Sequence, residues 1–132
     1  MSAEVRPIRV LLIEDEPANR ALVRAILART DGSGLPPITL VEANTLGNGR
    51  AQLAAGDVDV ALIDVRLPDG NGLDLASELG RRGPTDRPRT VIVSASVLPS
   101  ERQTALATGA DAFLGKPFNR ADLVGTLLAL IG

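Results

Sequence analysis

The sequence predicts an α/β domain, a three-layer sandwich with a five-stranded parallel sheet between layers of helices. Two observations and a rule of topology predict it. Short, almost unbroken apolar runs alternate with segments whose apolar residues recur at helical spacing. The runs lack the apolar–polar alternation of a half-exposed strand, as expected for strands buried on both faces. Parallel strands joined by helices take right-handed crossovers, which distribute the helices to both faces. At 132 residues the chain is expected to form one domain, 1–132, with a core that needs no covalent staples.

Along the chain, IRVLLIE (8–14) is the first strand. PANRALVRAILART (17–30) follows as a helix, with Leu22, Val23, Ile26 and Leu27 at helical spacing and Pro17 suited to the first turn. DGSGLPP (31–37) is a loop, and ITLVEA (38–43) the second strand. TLGNGRAQLAAG (45–56) is a weaker helix ending at Gly56, and VDVALID (58–64) a third strand that ends on a carboxylate. VRLPDGNG (65–72) reads as a loop whose DGNG is only a turn. GLDLASELGRR (72–82) is a helix, GPTDRP (83–88) a loop and TVIVSAS (90–96) the fourth strand. PSERQTALATG (99–109) is a helix closed by Gly109, and DAFLGK (111–116) the fifth strand. NRADLVGTLLALI (119–131) is the last helix, capped by Asn119.

Composition removes several kinds of chemistry. With no Cys and no His there is no disulfide, no thiolate and no imidazole base. A formal charge of −2 argues against a general nucleic-acid binder. No apolar run reaches the roughly 18 residues of a membrane span, and MSAEVRPIR lacks the apolar core of a signal peptide, so a cytoplasmic protein is expected. Of 14 Lys and Arg residues, Lys116 is the only lysine.

In parallel α/β sheets ligands bind beyond the carboxyl ends of the strands. There the sequence places Glu14, Asp15 and Glu16 after the first strand and Asp64 at the end of the third. Ser94 and Ser96 end the fourth, and Lys116 ends the fifth. Clustered carboxylates repel one another unless a cation neutralises them, and hard oxygen donors with room for water suit Mg2+. A divalent ion beside a carboxylate, a hydroxyl and an ammonium is a phosphate environment. One carboxylate can then carry the phosphoryl group as an acyl phosphate. Lysine suits such a site as a compact point charge, where the planar fork of arginine does not substitute easily.

The segments LLIEDE, LIDVRLPDGNG, VIVSAS and GADAFLGKPF, in this order and spacing, resemble the receiver domain of two-component response regulators. In LIDVRLPDGNG, Pro68 follows Asp64 by four residues and Gly72 by eight, as that family expects. The resemblance covers nearly the whole chain and implies the flavodoxin-like receiver fold, with strands in the order 2-1-3-4-5. It implies that Asp64 is the phosphoacceptor and that Mg2+ or Mn2+ is held by Asp15 directly, by Glu14 through water, by Asp64 and by the backbone carbonyl of Arg66. It further implies that Ser94 bonds and Lys116 pairs with the phosphoryl oxygens, and that the Lys116–Pro117 bond is cis. Phe113 falls where the family places its aromatic switch residue, which moves with Ser94 to alter the face formed by helix four, strand five and helix five. Glu14, Ser94 and Phe113 stand where Asp, Thr and Tyr are more frequent, so a switch here works by packing without a hydroxyl. Arg66 and Ser96 lie at positions that tune dephosphorylation in the family.

Each residue also has a plainer reading. Asp64 alone reads as a cap for the next helix, Glu14–Asp15 as a cap for the first, Phe113 as core, and Lys116 as a surface cation. The convergence of four strand ends favours the site. The resemblance implies a switch phosphorylated by a sensor histidine kinase or a histidine phosphotransfer protein, and not a turnover enzyme. Output would pass to a downstream protein partner, with no nucleic acid or membrane involved. Helices four and five carry few charges (Glu101, Arg102, Arg120, Asp122), so a monomer or weak dimer is expected. An aspartyl phosphatase would need an acid two residues after its nucleophile, where this chain has Arg66. A phosphorylation-independent scaffold, or a receiver cut from a larger regulator or hybrid kinase, are the alternatives.

Overall fold

In the computed structural model, residues 7–82, 87–95 and 98–131 are described. They form β1 (Ile8–Ile13), α1 (Pro17–Leu27), β2 (Ile38–Ala43), α2 (Leu46–Ala55), β3 (Val60–Asp64), β4 (Arg66–Leu67), β5 (Gly70–Asn71), α3 (Gly72–Gly80), β6 (Arg89–Ser94), α4 (Pro99–Ala107), β7 (Ala112–Gly115) and α5 (Arg120–Ile131). The main sheet runs β2-β1-β3-β6-β7 and every pairing in it is parallel. This is the expected 2-1-3-4-5 order once the small β4–β5 ladder is set aside.

Strand parity builds the three layers. Val10 and Leu12 of β1, Val60 and Leu62 of β3, and Val91 and Val93 of β6 pack against Val23, Ile26 and Leu27 of α1 and Leu123, Val124 and Leu127 of α5. The alternate residues Leu11, Ile13, Ala61, Ile63 and Ile92 pack against Leu46 and Leu53 of α2, Leu75 and Leu79 of α3, and Ala105 of α4. Both faces of the central strands are therefore closed to water, which is why their sequences read as unbroken apolar runs. Each Leu or Ile buried this way contributes about 1.5–3 kcal/mol.

Element ends depart from the expected ones where local hydrogen bonds decide them. Helix α1 stops at Leu27 rather than at residue 30, with Ala28 as its C-cap. Its N-cap is Glu16, which makes no side-chain cap bond, so the Glu14–Asp15 pair does not cap it. Strand β3 begins at Val60, two residues late, where its pairing with Val10 of β1 starts. Strand β6 ends at Ser94; Ser96 and residues 83–86 of the expected loop lie outside the described residues. The Asn119 cap of α5 is present as a reciprocal box. The Asn119 side chain accepts from Asp122 N–H at 2.8 Å, and the Asp122 carboxylate accepts from Asn119 N–H at 3.1 Å.

The segment 65–72, expected to be a loop, holds the antiparallel pairs Arg66–Asn71 and Leu67–Gly70. A two-residue ladder is too short to leave a periodic signal. Its DGNG is also more than a turn. Asn71 caps α3 by accepting from Leu73 N–H, and Asp69 accepts from Leu46 N–H at 2.8 Å and Gly47 N–H at 2.9 Å at the start of α2. The segment after Asp64 is thus fastened to a helix 22 residues earlier in the chain. These N–H groups hold the Asp69 carboxyl below its ordinary pKa. A depressed folded-state pKa contributes stability above the unfolded value near 3.8, lost as pH falls through the folded value. Asp69→Asn is therefore expected to lower the thermal midpoint at neutral pH. It should also flatten the fall in stability below pH 3.8, as followed by circular dichroism melts across pH.

Candidate functional site

Parallel register brings four strand ends together. Ile13 stands beside Ile63, Asp64 beside Val93, and Ser94 beside Gly115. The next residue of each outer segment then reaches the same edge: Glu14 after β1 and Lys116 after β7. Lys116 N–H donates to the Ser94 carbonyl at 2.8 Å, which carries the ladder one step past β7. The Lys116–Pro117 peptide is cis, as the resemblance implies.

Lys116 Nζ donates to Glu14 Oε1 at 2.7 Å and to Asp64 Oδ2 at 3.1 Å. Glu14 and Asp64 are almost wholly buried, at 3% and 7% exposure, and Ser94 is buried beside them. Burial alone would push the Lys116 ammonium down. The hydrogen bonds and charges of Glu14 and Asp64 outweigh it and raise its pKa above the ordinary lysine value. Asp15 is exposed at the rim, and one carboxylate oxygen from each of Glu14, Asp15 and Asp64 lies within 4.8 Å of the others. Three hard oxygen donors at this spacing, two buried and one open to water, fit a divalent ion of the Mg2+ or Mn2+ kind.

Asp15 and Asp64 line a cleft of about 690 Å3 together with Arg66, Ser94, Phe113 and Lys116, among others. Arg66 is exposed and its backbone N–H lies 3.4 Å from Asp64 Oδ1. Phe113 is half-buried, not core. It packs against the layer containing α4, with the Arg102 guanidinium 6.0 Å from its ring centroid. Phe113 lines both the cleft and a groove between α4 and α5 on the outer face. The structure therefore brings Asp15, Asp64, Arg66, Ser94, Phe113 and Lys116 to one cleft, with Glu14 buried beside it against Lys116. Sequence reasoning missed two supports of this site, Asp69 and Arg20, whose guanidinium donates to the Glu14 and Asp15 carbonyls, because a side chain that holds a distant or neighbouring backbone leaves no spacing pattern.

A family model described as response regulator receiver domain matches residues 10–128. The chain belongs to the response regulator receiver family. Among relatives of this receiver domain, the rice two-component response regulator ORR41 is 33% identical over 122 residues, which cover 92% of each chain. The KDP operon transcriptional regulatory protein KdpE of Escherichia coli is 33% identical over 118 residues, 89% of this chain but 48% of KdpE. The receiver thus spans about half of KdpE, and only 14% of the sensor protein ArcB from the same species. Among solved structures, the receiver domain of sensor histidine kinase PA1611 from Pseudomonas aeruginosa superposes with a TM-score of 0.79 at 26% identity, over 96% of this chain and 99% of that one. That structure has a magnesium ion coordinated in its active site cleft. Among the described residues, no helix is long and apolar enough to cross a membrane.

Proposed function

We propose that this receiver domain accepts a phosphoryl group on Asp64 from the phosphohistidine of a sensor histidine kinase or a histidine phosphotransfer protein. The observation that carries the reading is the Lys116 ammonium bonded at once to buried Glu14 and Asp64, at the mouth of a cleft that also holds Asp15 and Ser94. An Asp64 carboxylate oxygen attacks phosphorus, and a new O–P bond forms as the donor's N–P bond breaks. The released electron pair returns to the imidazole nitrogen. Lys116 moves its hydrogen bond from Asp64 to a phosphoryl oxygen, and the Ser94 hydroxyl donates to another. Glu14, Asp15, Asp64 and the Arg66 carbonyl are the residues that would hold Mg2+ or Mn2+, which neutralises non-bridging phosphoryl oxygens when bound.

Arg66, two residues past Asp64, cannot serve as the acid that a turnover phosphatase needs, so the chemistry is self-phosphorylation and self-dephosphorylation. The readout is the face formed by α4, β7 and α5, where Phe113 joins the cleft to the outer groove. It would meet a downstream protein, with the receiver acting in the cytoplasm as a monomer or weak dimer. Intact-protein mass after incubation with acetyl phosphate tests this. The expected result is a gain of one phosphoryl group in Mg2+ and none in EDTA. An unchanged mass in both would favour a scaffold that works without phosphorylation.

A further inference from the structure

The segment between β1 and α1 carries two of the three carboxylates proposed to hold the metal, yet no side chain caps the helix it leads into. A different contact holds it. Arg20, which closes the first turn of α1, reaches back so that one nitrogen, Nη1, donates to the carbonyl of Glu14 at 3.0 Å and to that of Asp15 at 2.9 Å. Its guanidinium is itself supported by Glu42 of β2, whose Oε1 lies 3.7 Å from Arg20 Nε. Glu42 is in turn gripped by Arg24 through Nε at 2.9 Å and Nη2 at 2.7 Å. On the other side of the segment, Glu14 N–H donates to the Ala43 carbonyl at 2.9 Å. The peptide planes after Glu14 and Asp15 are therefore pinned by a partly buried cation that touches neither carboxylate.

We infer that Arg20 is a positioning residue for divalent-ion binding: it fixes the backbone from which Glu14 and Asp15 project, so that their carboxylates meet Asp64. This rests on the proposed metal site. Charge and position make opposite demands, which separates the inference from a simple electrostatic effect. A cation near three carboxylates weakens their attraction for Mg2+, so removing its charge alone would tighten binding. Removing a support that orients the ligands loosens binding, commonly by about tenfold or more.

The test is isothermal titration of the purified chain with Mg2+, at a temperature where circular dichroism shows each variant folded. Arg20→Met is expected to weaken Mg2+ binding by about tenfold. Arg20→Lys keeps the charge and can still donate to both carbonyls from one nitrogen, so it is expected to recover part of the loss. Glu42→Gln, which leaves Arg20 in place but removes its support, covers the case in which Arg20→Met does not fold. It is expected to weaken binding by a smaller factor. Amide NMR shifts of Glu14 and Asp15 on Mg2+ addition give a readout that global stability does not move. Affinity within twofold of wild type, or tighter, in Arg20→Met and Glu42→Gln overturns the inference. A wild-type chain that binds no Mg2+, in parallel with Asp15→Asn, overturns the metal reading itself.

Discussion

Lys116→Met is expected to destabilise the metal-free chain by about 3 kcal/mol, the cost of leaving a buried charge without its partner. Two carboxylates lose their cation at once, Glu14 at 3% exposure and Asp64 at 7%, and the Lys116 side chain is itself only 15% exposed. Urea denaturation in EDTA measures the loss. Mg2+ offers the same carboxylates a second cation, so added Mg2+ should restore much of the difference and bind the variant more tightly than wild type. The pH dependence follows from the raised lysine pKa. The ion-pair contribution is present below the unfolded value of 10.5 and is lost as pH rises through the higher folded value. The methionine variant should lack that alkaline decline. Lys116→Arg is expected to recover only part of the stability, since a planar fork cannot place one point charge between Glu14 and Asp64. An unchanged urea midpoint in Lys116→Met would contradict this account of the only lysine.

Gly72→Ala is expected to cost about 3 kcal/mol and to disturb Asp64 with it. A Cβ at residue 72 would lie 2.0 Å from the Asp64 carbonyl oxygen and 2.7 Å from Ile63 Cγ2. The first of these is backbone, so no side-chain rotation relieves it, and α3 must move away from the end of β3. The Gly72 N–H also donates to the Val65 carbonyl at 2.8 Å, which closes the 65–72 segment over the same spot. The glycine eight residues after Asp64 is thus a packing requirement of the site. Gly125→Ala supplies the control. Nothing lies within 4 Å of a Cβ there, and Gly125 is inside α5, so the same substitution should stabilise by up to about 1 kcal/mol. Thermal melts of the two variants should move in opposite directions. A Gly72→Ala chain as stable as wild type would show that the close approach of α3 to β3 is not needed.

The layers were legible because burial on both faces leaves a strong mark on sequence, whereas the strand order came only with the resemblance to receiver domains. Val10, Leu11, Leu12 and Ile13 are all fully or almost fully buried, as a central parallel strand covered by helices on both faces requires. The cluster of Glu14, Asp64, Ser94 and Lys116 was legible for a related reason. Each is the first polar residue after, or the last residue of, an apolar strand, and parallel topology carries those positions to one edge. The supports were not legible. Nothing in the pattern of α1 separates Arg20 from Arg24, yet one pins the Glu14 and Asp15 carbonyls and the other pairs with Glu42. Asp69 sits in a turn-rich stretch where a carboxylate needs no further explanation, and its partners lie 22 and 23 residues away. Phe113 was legible as apolar, but its place between cleft and outer groove depends on how α4 packs.

The central claim is that Asp64, held by Lys116 beside Glu14 and Asp15, is the residue that takes the phosphoryl group. Its most direct test is to treat wild type and Asp64→Asn side by side with acetyl phosphate and Mg2+. Intact mass is followed by borohydride reduction of the acyl phosphate and peptide mapping. The account predicts one phosphoryl group on the wild-type chain, mapped to Asp64, and none on a folded Asp64→Asn chain. A gain that survives Asp64→Asn, or maps to Asp15 or Glu14, would contradict it.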